Sequence, residues 1–394
     1  MDDNDIVIVG SARTPQGNLL GELKDVPATR LGSAAILAAM QRANLSGEDI
    51  EEVLMGCVLP AGLGQAPARQ AALGAGLPKN VSCTTLNKVC GSGMKAVMIA
   101  HDEIVARSAN IIIAGGMESM TNAPYFLRNA RQGYRLGNSQ LFDHLMVDGL
   151  EDAYDKGLPM GYFAEDCARE YNFSRADQDS YALTSLERAL AAIKEKVFDE
   201  EITPITIKTK QGDIIVDTDE HPGSVKKEKI PLLIPVFKKD GTITAANSSS
   251  IADGAAALVL MTAAEAERRG ITPLARIVGH SSFAGQPQRF TTAPIYAIEK
   301  LLTKIDWTVN QVDLFEINEA FAVVTMAAMR DLKIPHAKLN IYGGGVALGH
   351  PIGASGARII VTLITALKNC HLNRGIAALC IGGGESTAIA IECL

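Results

Sequence analysis

The sequence predicts an α/β fold built from two related halves, the first interrupted by a loop-rich insertion. Three observations predict it. Short continuous apolar runs alternate with helical patterns, which is how buried strands and their covering helices read. The same series of elements occurs twice, near the start and again after Pro273. Between 121 and 245 the texture changes to Asn, Gly, Tyr, Arg and Asp with little periodicity, then to helical patterns and a polar stretch punctuated by prolines.

Taken in order, Ile6-Val7-Ile8-Val9 closed by Gly10 reads as a buried strand, 31–43 as an amphipathic helix, and Glu52-Val53-Leu54-Met55-Gly56 as a second strand. Helical patterns follow at 66–74 and 93–107, then a strand, Ile111-Ile112-Ile113-Ala114, stopped by Gly115-Gly116. In the insertion two helices are expected, at 160–171 and 175–196, the second opened by Ser174 with Asp177 three residues on. Residues 197–245 read as polar loop. The opening pattern then returns. Ala275-Arg276-Ile277-Val278-Gly279 answers the first strand, 294–304 the first helix and Val312-Asp313-Leu314-Phe315-Glu316 the second strand. Ala354-Ser355-Gly356-Ala357-Arg358 stands where Gly91-Ser92-Gly93-Met94-Lys95 stood, and the Gly382-Gly383-Gly384-Glu385 stretch where Gly115-Gly116-Met117-Glu118 stood. The expectation is two α/β halves with mostly parallel sheets. Their bounds are 1–120 plus 246–270, and 271–394, around the insertion 121–245.

Composition sets limits. The chain has 394 residues, 47% hydrophobic and 21% charged, and a net charge of −7, which fits a globular domain and gives no nucleic-acid surface. Cysteines at 57, 83, 90, 167, 370, 380 and 393 are odd in number with no C-x-x-C spacing, against a disulfide framework or a cysteine zinc site. No apolar run is long enough to span a membrane. The acidic opening Met1-Asp2-Asp3-Asn4-Asp5 argues against targeting, so a cytoplasmic location is expected.

Chemistry gathers at four places. Cys90, before Gly91-Ser92-Gly93 and an apolar helical run, sits at a helix start, where free N–H groups and the helix dipole favour a thiolate. The glycines would permit the sharp turn. His350 lies in Gly349-His350-Pro351, Cys380 precedes Gly382-Gly383-Gly384, and Asn318 opens Asn318-Glu319-Ala320-Phe321-Ala322. Each alone has an ordinary reading: buried cysteine, turn histidine, helix-capping asparagine. The duplication brings them to one pseudo-two-fold axis. Gly343-Gly344-Gly345 lacks the G-x-G-x-x-G and P-loop spacings.

Together these motifs resemble the thiolase family, and the resemblance runs from 6 to 394. It implies a layered αβαβα fold with a loop-rich α/β insertion, and acyl transfer between coenzyme A thioesters. Cys90 would be the nucleophile, His350 the group that takes its proton, and Cys380 the acid/base at the α-carbon of the second acyl-CoA. One oxyanion hole would use His350 and a water held by Asn318, the other the backbone N–H groups of Cys90 and Gly382. No metal or prosthetic group is implied. Leu150, Met160, Phe237, Ala245, Ser249, Ala320 and Phe321 match positions that hold coenzyme A. Phe290 matches a bulky residue beside the acyl pocket in short-chain members. The implied reaction is therefore reversible condensation of two acetyl-CoA to acetoacetyl-CoA and CoA, in fatty acid metabolism. The alternatives are a longer-chain degradative thiolase, a decarboxylating condensing enzyme and a non-catalytic acyl-CoA binder. The family also implies a homotetramer, a dimer of dimers joined through the first-half sheet and the insertion.

The sequence departs from the family pattern in four places. Pro159 precedes Met160, in the manner of degradative members. Gly223 replaces an arginine, leaving Lys226 or Lys227 to meet the nucleotide. Glu385-Ser386 replaces a Gly-x-Gly, and Glu385 is expected to repeat Glu118. Gly345 stands where alanine is usual.

Overall fold

The computed structural model describes residues 2–394. The first half supplies strands β1 (Ile6–Arg13), β2 (Glu52–Gly56), β3 (Ser82–Leu86), β4 (Ile112–Ser119) and β5 (Ala252–Thr262). The second supplies β6 (Ala275–Ala284), β7 (Leu314–Ile317), β8 (Arg374–Ile381) and β9 (Glu385–Cys393). Their spatial order is β7-β8-β9-β6-β1-β5-β4-β2-β3. The halves join where β1 meets β6, through Val7 opposite Arg276 and Ile8 opposite Ala275.

The sheets are mixed rather than mostly parallel. β2 runs parallel to β3 and β4, and β7 to β8. β5 is antiparallel to both β1 and β4, and β9 to both β8 and β6. Apolar runs report burial on both faces but not strand direction. Direction is set by connections, and β8 reaches β9 through the tight Gly382–384 turn, which can only make an antiparallel pair.

Helices are α1 (Ala28–Arg42), α2 (Ser92–Val105), α3 (Met160–Glu170), α4 (Arg175–Lys194), α5 (Ala293–Ile305), α6 (Ala322–Leu332) and α7 (Ser355–Asn369). Three apolar cores define the αβαβα layering. α1 and Pro67–Gly74 cover the outer face of the first sheet, with Leu31, Ile36 and Ala71 against Val53 and Val259. α2 and α7 fill the middle, where Val97, Ile359 and Ile360 meet Leu258 and Leu379. α5 and α6 cover the far face, with Ile298, Leu301 and Val324 against Ile376 and Ala388. Every residue of α7 from Ser355 to Leu367 is buried, including the polar Ser355, Arg358, Thr362 and Thr365.

The two central helices touch at their starts through glycine. A side chain at Gly356 would come within 2.4 Å of Met94 N, and one at Gly93 within 2.8 Å of Ala357 N. Gly115 and Gly116 do not stop their strand, because β4 continues to Ser119. They are small because a Cβ would strike the Ala256 carbonyl from Gly115 and the Gly353 carbonyl from Gly116, both at 2.0 Å.

In the insertion, Ser174 and Asp177 cap α4 reciprocally, Ser174 N donating to Asp177 Oδ2 at 2.9 Å and Asp177 N to Ser174 Oγ at 3.1 Å. The stretch after 197 is more ordered than its polarity suggests. Ile205–Thr209 and Gly212–Val216 form a hairpin, and Tyr125–Leu127 pairs with Leu141–Asp143. Buried Arg13 at the end of β1 ties the insertion down, donating to Glu201 at 2.6 Å and to Asp219 at 2.7 Å. Among the described residues no helix is long and apolar enough to cross a membrane.

Candidate active site

A cavity of about 470 Å³ opens where the two central helices begin. Cys90, His350, Cys380 and Gly382 all line it, and so do Leu150, Met160, Phe237, Ser249, Phe290, Ala320 and Phe321. Asn318 stands behind its wall. Ala245 is exposed and does not line it, because the chain turns outward there before Ser248, Ser249 and Ser250 return to the cavity. Lys227 is also away from the cavity, paired with Glu187 at 3.1 Å.

Cys90 stands just before Gly91, the N-cap of α2. The turn that presents it is strained at Val89, whose φ of 47° is costly for a β-branched residue. The strain is held locally. Asn87 Oδ1 accepts from Val89 N at 2.8 Å, while Ser92 Oγ accepts from Lys88 N at 2.8 Å and donates to Val89 O at 2.6 Å. The glycines do not bend the chain as the sequence suggests, since Gly91 has φ −81°. Gly91 is required instead by packing, for its Cβ would lie 2.3 Å from Ile381 Cδ1.

Cys90 is partly covered at the cavity wall, and desolvation pushes its thiol up to about 11; the N–H groups of Gly382 and of Cys90 itself pull the other way. The expected low-pKa thiolate is thus not the resting form, because desolvation outweighs the helix start. Burial also lifts Cys380 well above its ordinary value, helped by the neighbouring Cys90 sulfur. Two thiols so close cannot both ionise.

His350 enters from a loop fixed by Gly349 at φ 105° and by donation from His350 N to Ser250 O at 3.0 Å. Its ring is buried, and desolvation with the nearby Arg358 charge brings its pKa down to about 3, so the imidazole is neutral. Nδ1 lies 2.5 Å from Ser355 Oγ, which itself lies 3.0 Å from Pro351 O. A serine hydroxyl has one proton. With that proton on the Pro351 carbonyl, Nδ1 must carry the imidazole hydrogen, leaving the Nε2 lone pair free.

Asn318 Nδ2 is 3.4 Å from both ring nitrogens of His350, and its buried Oδ1 has no hydrogen-bond partner among the described residues. Asn340, at φ 46°, locks the adjoining loop by accepting from Ile317 N at 2.9 Å and donating to Ile317 O and Glu319 Oε1 at 2.8 Å. A Cβ at Gly345 would sit 3.0 Å from Asn318 Oδ1, so glycine there leaves that oxygen more room than alanine would.

The slot leading to the sulfurs is aromatic. Phe321 packs edge-on to Phe237 at 6.0 Å and to Phe290 at 6.3 Å between ring centroids. Phe237 lies over Gly161, where any side chain would enter its ring. Ser249 N donates to Ala320 O at 3.0 Å, stitching the segment just after the insertion to the second half.

Sequence reasoning did not single out Val89, Met120, Met146, Ser250 or Ile352 as cavity-lining, nor Ser355 as the partner of His350. Only Ser355 carried a usable signal, its i+5 spacing from His350 across a helix start. Glu385 does not repeat Glu118. Glu385 is partly exposed and pairs with Lys88. Glu118 is fully buried and accepts from Val58 N at 2.9 Å, Leu59 N at 3.1 Å and Gly353 N at 2.9 Å.

The profile described as thiolase, N-terminal domain, matches residues 6–264, and that of thiolase, C-terminal domain, matches 271–393. An acetyl-CoA acetyltransferase of Schizosaccharomyces pombe is 48% identical over 394 residues, covering all of both chains. Acetyl-CoA acetyltransferase 2 of Arabidopsis thaliana is 49% identical over 393 residues, covering 99% of this chain and 97% of the relative. Among solved structures, the Bacillus anthracis acetyl-CoA acetyltransferase superposes with a TM-score of 0.96 at 40% identity, covering 99% of each chain. The Acat5 thiolase of Ascaris suum in complex with coenzyme A gives 0.94 at 40% identity, covering 99% of this chain and 100% of that one. A duplicated αβαβα fold, a cavity at the paired helix starts and these full-length matches agree: the chain belongs to the thiolase family.

Proposed function

We propose that the protein is an acetyl-CoA C-acetyltransferase, condensing two acetyl-CoA to acetoacetyl-CoA and CoA through an acyl-cysteine. The observation that carries this reading is the convergence of Cys90, His350 and Cys380 on one cavity, with Phe290 occupying its wall. The chemistry follows from the protonation states. Cys90 rests as a thiol and His350 as a neutral ring with Nε2 free, so the proton passes from sulfur to Nε2 as the sulfur attacks the acetyl carbonyl. Cys380 also rests as a thiol and can act as a base only after giving up its proton. The departing CoA sulfur needs one. Donation to it leaves Cys380 as thiolate, ready to take a proton from the α-carbon of the second acetyl-CoA. The resulting enolate attacks the acetyl-cysteine, forming the carbon–carbon bond and releasing Cys90 as thiolate, which recovers its proton from His350.

Developing charge on the two carbonyl oxygens needs donors. The N–H groups of Cys90 and Gly382 suit one; His350 with a water on Asn318 suits the other, whose otherwise unpartnered Oδ1 supports such a water. The insertion 121–245, with Leu150, Met160 and Phe237, and Ser249 just beyond it, is read as the coenzyme A platform between the halves 1–120 plus 246–270 and 271–394. The reaction so written uses no resident metal or prosthetic group. A cytoplasmic, homotetrameric enzyme acting in fatty acid metabolism completes the proposal.

Pro159, which lines the cavity, favours a second reading as a longer-chain degradative thiolase. Steady-state thiolysis of acetoacetyl-CoA against ketoacyl-CoA of eight to sixteen carbons (about that range suffices) separates the two. Faster turnover of the long substrates would sink the acetyl-specific reading.

A further inference from the structure

The last turn of α2 meets the middle of β6 at a cluster that acyl transfer does not use. His101 Nδ1 and His280 Nε2 face the same oxygen, Asp102 Oδ1, at 3.0 Å and 2.9 Å. The rings stand edge to face, 5.0 Å between centroids. Both imidazoles are largely covered, with side-chain exposures of 19% and 12%, while Asp102 is 57% exposed. The three ligand atoms lie within 4.8 Å of one another.

We propose that His101, Asp102 and His280 form a binding site for a borderline divalent transition ion of the zinc, cobalt and nickel class. Two imidazoles and a carboxylate are the donor set such ions prefer. Bonds of about 2.0–2.2 Å in tetrahedral geometry place donor atoms roughly 3.3 Å apart. The two N···O separations are already near that and the two imidazole nitrogens lie within 4.8 Å of each other, so an ion replacing the shared hydrogen-bonding protons would draw the two rings together. The exposed side of Asp102 leaves the remaining coordination position to water.

The surroundings select against hard cations. Calcium and magnesium want several oxygens, and only Asp102 supplies one here. Lys304 Nζ donates to His280 O at 3.2 Å and Lys300 Nζ to Ser282 O at 3.0 Å, so the neighbourhood is not electronegative and an ion must be held by its bonds to the imidazoles. A bound ion would join a helix of the first half to a strand of the second. His101 lies nine residues beyond Ser92, roughly 14 Å along the helix from the end that presents Cys90, which makes the site a brace rather than a part of catalysis.

Titration of the full-length enzyme with Co²⁺ tests this. The expected result is one ion per chain, visible d–d absorption without a thiolate charge-transfer band, and a raised melting temperature. His101→Ala/His280→Ala should lose both absorption and stabilisation while keeping thiolytic activity. His101→Gln, a milder change, should weaken binding roughly tenfold or more. No stoichiometric absorption in the wild type overturns the proposal. So does a thiolate band that persists in the double variant, which would place the ion on the cysteines.

Discussion

The hydroxyl of Ser355 lies 2.5 Å from Nδ1 of His350 and donates a hydrogen bond to the Pro351 carbonyl, so it is left to accept from Nδ1 and fixes which imidazole nitrogen can act as base. Ser355→Ala leaves a buried N–H without its partner, at a cost of about 1–3 kcal/mol, and frees the ring to adopt the other tautomer. The expected outcome is a kcat reduced roughly tenfold or more with KM for acetoacetyl-CoA nearly unchanged. A loss confined to KM would place Ser355 in substrate binding instead.

Replacing His350 tests the resting state of the nucleophile. With the Cys90 thiol held near 11, His350→Ala should slow acylation by about 10²–10⁴-fold. The residual rate should then climb about tenfold per pH unit on the alkaline side, since the thiolate fraction rises that way below its pKa. Single-turnover acylation between pH 7 and pH 10 reads this directly. A rate already level at neutral pH would mean that the sulfur is ionised without its base.

Phe290 sets the acyl volume in the proposed reading. It is buried and shares an edge contact with Phe321, so Phe290→Ala should cost about 3–5 kcal/mol of stability. Phe290→Leu removes less and is the better probe. It should raise kcat/KM for six- and eight-carbon ketoacyl-CoA relative to acetoacetyl-CoA, by about tenfold if one or two methylenes are accommodated. Unchanged chain-length ratios would remove Phe290 from the acyl pocket.

Glu118 couples pH to stability. Burial raises its carboxyl from 4.5 to about 7 despite three donated N–H bonds. Between those values the folded protein keeps a proton that the unfolded chain releases. The contribution is therefore fully present below about pH 4.5 and is lost as pH rises to 7. Its size is on the order of 3 kcal/mol. Urea midpoints of wild type and Glu118→Gln, compared at pH 5 and pH 8, should show the wild-type advantage shrinking as pH rises. A constant gap would show that Glu118 does not titrate in that window.

Much of this was legible in the residues because duplication writes the same message twice. The two helix starts, at Gly91-Ser92-Gly93 and Ala354-Ser355-Gly356, predict a shared axis, and the cavity lies there. What the residues concealed was geometric. Strand direction is decided by connections, so the antiparallel course of β5 and β9 could not be read from apolar runs. Glycine is ambiguous between turning and yielding space, and at Gly91, Gly115 and Gly116 space was the reason. Strain at Val89 depends on hydrogen bonds from Asn87 and Ser92 that only the folded turn brings together. Residue 245 follows the coenzyme A pattern in sequence, yet backbone direction at that point turns it to solvent.

The glycine contact between the central helices has a consequence for how such a protein could arise and change. Gly93 and Gly356 press against each other's helix starts, so the distance from nucleophile to base is set by two atoms that are missing. Neither half alone possesses that distance; it came into being when the copies were joined. Later divergence was free to exchange cysteine for histidine-bearing loop around this contact, while any side chain grown at either glycine would push both copies apart at once. The seam of the duplication is thus where a single added carbon would be felt by both halves.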